Sequence, residues 1–87
     1  MTEAEERFAA RLAEDIGRVL GVGIVVDDIE LQVEERRARV VATLLVADRV
    51  ETIEAEAPDV LGLYRPIVER AAELRLISAF WQIVGPT

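Results

Sequence analysis

Apolar positions along this chain change period repeatedly, and each change marks an element. From Glu3 to Leu20 they recur at helical spacing. Phe8, Leu12, Ile16, Val19 and Leu20 form one stripe, which a 3.6-residue period turns toward a core. Glu3, Glu6, Arg7, Arg11, Glu14 and Arg18 fall largely off it. Thr2 and Glu5 have the spacing of a capping box, in which each side chain satisfies a free N–H of the first turn. Glu3–Arg7 and Glu14–Arg18 are i,i+4 pairs in the favourable order, each contributing ~0.2–0.5 kcal/mol. Arg7 beside Arg11 offsets part of that gain. Gly21 and Gly23 supply the stop.

The period then drops to two. Ile24-Val25-Val26 is an apolar run, interrupted by Asp27-Asp28. Ile29, Leu31 and Val33 alternate with Glu30, Gln32 and Glu34, the pattern of a half-buried strand. Glu34-Glu35-Arg36-Arg37 is a polar hairpin turn without the Asn-Gly or Asp-Gly of the tightest ones. Ala38 to Ala47 is the second strand. Val40, Ala42, Leu44 and Val46 point one way, and Val41, Thr43 and Leu45 the other. Apolar residues on both faces predict a central strand, or one face covered by another subunit. Asp48-Arg49 turns the chain into a third strand, Val50 to Ala57, with Ile53, Ala55 and Ala57 alternating against Glu54 and Glu56.

Pro58-Asp59 opens a second helix, because proline and aspartate both suit a first turn. Val60, Leu63, Tyr64, Ile67, Ala71 and Leu74 make its apolar stripe, and Arg65, Glu69, Arg70 and Glu73 its wet side. Pro66 either kinks this helix or marks the start of a longer one. Ile77 to Val84, with Phe80, Trp81 and Ile83, reads as a fourth strand ended by Gly85-Pro86.

The order is α-β-β-β-α-β over a single domain, residues 1–87. The class is α+β, a small two-layer sandwich with two helices on one face of an antiparallel sheet. The first five elements resemble, in order alone, a double-stranded-RNA-binding domain. That family holds phosphate with a lysine-rich start to its second helix. Here the helix starts Pro58-Asp59 and lysine is absent, so membership is not assigned.

Composition sharpens the functional side. The chain has no His, Cys or Lys, and all ten basic residues are arginine. That removes the imidazole base, the thiolate, the Schiff-base amine and the soft metal ligands. A net charge of −7 repels phosphate backbones and anionic bilayers, so no nucleic-acid or membrane partner is expected. The amino terminus, Met1-Thr2-Glu3-Ala4-Glu5-Glu6-Arg7, lacks the basic and apolar regions of a secretory signal, and a cytoplasmic location is expected. Eighty-seven residues bury roughly 60–65% of the unfolded surface. Against that, 52% hydrophobic residues is a surplus, which suggests burial against another chain.

Several groups of residues could carry chemistry. Asp27, Asp28 and Glu30 are acidic enough for a hard cation, but they lack the loop spacing such ions need and read as a solvated turn. Glu54 and Glu56 share a strand face about 7 Å apart. Burial could make them an acid and a base, with Arg65 or Arg70 as alternative ion partners and a wet sheet face as the ordinary reading. Arg36, Arg37 and Arg39 sit beside Glu34 and Glu35, which suits cross-strand pairing and edge protection. Ser78 has no base beside it, and Gly21-Val22-Gly23 follows a helix instead of opening one, so neither a nucleophile nor a phosphate loop is expected. Phe80 and Trp81, adjacent in a strand, would face opposite sides, and one would need a cover.

The expectation is a non-enzymatic protein-interaction or assembly domain, forming a homo-oligomer or binding a protein partner, with no cofactor and no metal. Its expected interface residues are Val41, Leu45, Tyr64, Phe80 and Trp81. The alternatives are a binding module for a small apolar ligand and a minimal enzyme using Glu54, Glu56 or Tyr64.

Overall fold

The computed structural model describes residues 2–21, 24–46 and 49–84, with side chains described up to Ile77. Helix α1 spans Glu3–Leu20. Strands β1 (Ile24–Val33), β2 (Ala38–Val46) and β3 (Arg49–Ala57) follow, then a 3-10 turn (Leu61–Leu63) and helix α2 (Tyr64–Val84). The strands form one antiparallel sheet in the order β1-β2-β3. Helix α1 packs on β1 and α2 on β3. Leu12, Ile16 and Leu20 of α1 and Ile67 and Ala71 of α2 meet Val40, Ala42 and Leu44 of β2 in one core. The α+β class is as expected, and β2 is the central strand that its two apolar faces predicted.

Helix α1 starts on its capping box. Thr2 Oγ1 accepts from the Glu5 N–H at 3.1 Å, and Glu5 Oε2 accepts from the Thr2 N–H at 3.0 Å. It ends at Gly21, whose φ of +76° takes the chain into a region that side chains disfavour. The expected pairs form, Arg7 to Glu3 at 2.8 Å and Arg18 to Glu14 at 2.6 Å.

Asp27-Asp28 does not interrupt β1; it makes a bulge within the strand. Val26 pairs with Leu44 and Asp28 with Thr43, leaving Asp27 as the extra residue. Val26 and Ile29 are three apart, so a regular strand would send one inward and the other out. The bulge absorbs the odd residue, and Ile24, Val26, Ile29 and Leu31 all point to the helix layer, half-buried. Glu34–Arg37 is the expected hairpin turn, closed by the Glu34 N–H on the Arg37 carbonyl at 2.7 Å.

After β3, Asp59 caps the 3-10 turn by accepting from the Gly62 N–H at 2.8 Å, and the α-helix proper begins at Tyr64. Pro66 lies in its first turn, where a missing N–H costs nothing, so the chain enters a long helix here without a proline kink in its interior.

The fourth strand is a correction. Residues Ile77 to Val84 continue α2 without a break, so the order is α-β-β-β-α. No glycine or proline lies between Pro66 and Gly85. Once a helix is nucleated, each further residue adds a backbone hydrogen bond, and the tail has neither a stop signal nor the strict alternation of a strand. The adjacent-aromatic argument falls with the strand, because successive helix positions are about 100° apart. The Phe80 and Trp81 side chains lie outside the described residues, as do Gly23, Ala47 and Asp48.

Two contacts fix the relative direction of the helices. The start of α2 meets the middle of α1 through Tyr64 and Asp15, and Arg75 donates to the carbonyl of Val19 at 3.1 Å. Both helices therefore run in the same sense. Among the described residues, the last core residue of α2 is Ala71, with Leu74 packed against the core edge; beyond it Leu76 is 71% and Ile77 54% exposed. The molecule is correspondingly long, 48 × 19 × 18 Å.

Candidate partner surface

The outer sheet face is set by strand register. Alternation turns Arg39, Val41, Thr43 and Leu45 of β2 away from the helices. Their cross-strand neighbours are Gln32 and Glu56, Glu30 and Glu54, Asp28 and Thr52, and Val25 and Val50 in turn. One end of this face is thus ionic and the other apolar. At the ionic end Arg37 meets Glu56 at 2.6 Å, and Arg39 meets Glu54 and also approaches Glu56. At the apolar end Val25, Leu45 and Val50 form a row, 60%, 39% and 64% exposed.

The structure brings two of the expected interface residues together. Val41 and Leu45 share the outer face, Val41 half-buried between two glutamates and Leu45 in the apolar row. Tyr64 belongs to the other layer. Its hydroxyl donates to Asp15 Oδ2 at 2.6 Å, and Arg11 Nε donates to the same oxygen at 3.1 Å. Arg18 stands 3.8 Å from the other oxygen. Asp15, on the core stripe of α1, is the one buried charged residue among those described, and these partners satisfy it. The Tyr64 hydrogen bond is the main cause holding the Asp15 carboxyl below its usual range, with Arg11 and Arg18 adding to it and burial opposing. The same bond pushes the Tyr64 phenol above its usual value, helped by burial. This cluster pins α2 to α1, so the Tyr64 hydroxyl is committed internally.

No family model matches this chain, and no curated protein or solved structure matches it at a significant level.

The remaining candidates resolve geometrically. Glu54 and Glu56 are exposed and held by Arg37 and Arg39, not by Arg65 or Arg70, which pair with Glu69 and Glu73 on their own helix. The concavity beside them, about 160 Å³, is lined by Gln32, Glu34, Arg37 and Arg39 and by neither of these two glutamates. Asp27, Asp28 and Glu30 are exposed along β1, and no group of three possible metal ligands converges among the described residues. No described helix is long and apolar enough to cross a membrane.

A groove of about 540 Å³ opens between the two helices, lined by Val19, Ala72, Arg75 and Leu76. It lies where α2 leaves the core. Sequence reading missed it, along with Val25, Val50, Leu76 and Asp15. Asp15 carried a signal: it sits between Leu12 and Ile16 on the apolar stripe, four residues after Arg11.

Proposed function

We propose that this chain is a small non-enzymatic assembly domain of the cytoplasm that forms a homo-oligomer by burying apolar surface against another copy. The observation that carries this reading is α2 running past the core, with Leu76 and Ile77 largely exposed. Val25, Leu45 and Val50 add a second apolar surface, and the acidic remainder disfavours wrong partners through like-charge contact. Light scattering coupled to size exclusion tests it. The expected mass is a multiple of the 9.7 kDa chain, falling on dilution. A 9.7 kDa particle at every concentration refutes the proposal.

A second reading, a module for a small apolar ligand, draws on the groove at Val19, Ala72, Arg75 and Leu76. Its volume suits a small molecule, but it is open, so little of a ligand would leave water. A saturable rise in melting temperature with hydrophobic ligands, and no self-association, would favour it.

A further inference from the structure

We propose that α2 pairs antiparallel with α2 of a second copy, about a two-fold axis passing between the levels of Ile77 and Ser78. This rests on the assembly reading and names its interface.

Charge is the first argument. All 10 basic and 17 acidic residues precede Leu76, so residues 76–87 carry none. The body holds the whole net charge of −7, and bodies meeting face to face would bring like charge together. Pairing through the α2 ends instead brings together segments that are uncharged from Leu76 on.

Spacing is the second. Ala72 and Leu76 line the helix groove beside Val19. Along the same side of α2 the next positions are Ala79 and Ile83, giving intervals of four, three and four residues. That is the seam by which two helices pack at a shallow angle.

Size is the third. About the proposed axis, Leu76 falls at the level of Ala79 of the partner subunit, and Ala72 at the level of Ile83 of the partner subunit. By residue type, a large residue is therefore level with a small one at each of these positions, the order that a close helix seam needs. The charged residues in the overlap are Glu73 and Arg75, level with Gln82 and Phe80 of the partner subunit, so no like charges face each other. A two-fold contact must be self-complementary in this way; an unrelated apolar peptide needs no such match, and an anionic membrane would repel the body.

The natural chain has no cysteine, which makes cross-linking clean. Leu76→Cys and Ala79→Cys proteins are mixed and oxidised, beside a Leu45→Cys and Val50→Cys mixture reporting on the sheet face. The expected result is a wild-type mass of twice 9.7 kDa and several-fold more cross-linked dimer from the helix mixture than from either single variant or the sheet-face mixture. Leu76→Glu is expected to give a monomer of unchanged helical circular dichroism. Should that variant unfold, Ala79→Leu, which overfills the seam with a good helix former, is expected to weaken the dimer at least tenfold. A dimer that cross-links through the sheet face, or that Ala79→Leu leaves intact, overturns this pairing and spares the assembly reading. A monomer, whether or not it binds lipid vesicles or another protein, overturns both.

Discussion

Deleting Asp27 should leave this protein close to its original stability, although it removes a residue from the middle of a strand. The residue is the extra one in the β1 bulge, opposite no residue of β2. Without it, Ile24, Val26, Ile29 and Leu31 fall into strict alternation and all still face the helices. We expect a change within ~1 kcal/mol, since only an exposed bulge residue is lost. Deleting Glu30, three positions on, should behave quite differently. If the hairpin end of β1 keeps its register, the bulge is used up and Asp28 takes the inward place that Ile29 held. Burying an isoleucine fully is worth ~1.5–3 kcal/mol, and Ile29 is half-buried, so its loss costs about 1–2 kcal/mol. A carboxylate turned toward the helix layer adds a further ~1–3 kcal/mol. The total of about 2–5 kcal/mol is a large share of the roughly 4–13 kcal/mol expected for a chain of this length. At the low end it lowers the melting temperature by about 8–16 °C. Thermal and urea melts followed by circular dichroism measure both variants. Equal losses from the two deletions, or a neutral Glu30 deletion, would refute the bulge assignment.

Two further outcomes follow from the core and the helix clamp. Leu44→Ala, at a fully buried β2 position, should cost ~2–5 kcal/mol in urea melts; a loss under 1 kcal/mol would place Leu44 outside the core. Asp15 has its folded pKa depressed, chiefly by Tyr64, so its contribution is present above the unfolded value near ~3.9 and is lost as pH falls through the folded one. Tyr64→Phe should therefore cost stability at neutral pH and narrow its deficit in acid, and phenol titration of the wild type should give a value above that of free tyrosine. A deficit that is the same at acid and neutral pH would remove the hydroxyl–carboxylate bond from the account.

The amphipathic stripe of α1, its cap, the strand alternation and the first hairpin were legible because each is encoded within a few neighbouring residues. Val41 and Leu45 were visible for the same reason, since one strand's alternation places both on its outer face. The row Val25–Leu45–Val50 was not, because cross-strand register joins residues from three segments and no single segment carries it. The fourth strand was misread because an apolar run suits either structure. The deciding feature was the lack of any breaker between Pro66 and Gly85, which lets a nucleated helix continue. Asp15 shows a different gap: a charge on a buried stripe implies a donor on the facing helix, but only the packing of α2 identifies it as Tyr64.

The shared direction of α1 and α2 gives the molecule the properties of a spacer. Thr2 lies about 26 Å before Val19 along α1, and Val84 about 14 Å beyond Arg75 along α2, at 1.5 Å per residue. Those lengths nearly fill the 48 Å long dimension, so the two helix ends sit at opposite poles. Cargo fused ahead of Thr2 would ride at one pole and leave the other free, whereas cargo fused after α2 would sit directly on it. A tag's position is thus a functional choice for this chain, and a reporter at the Thr2 pole is the one that leaves α2 unobstructed.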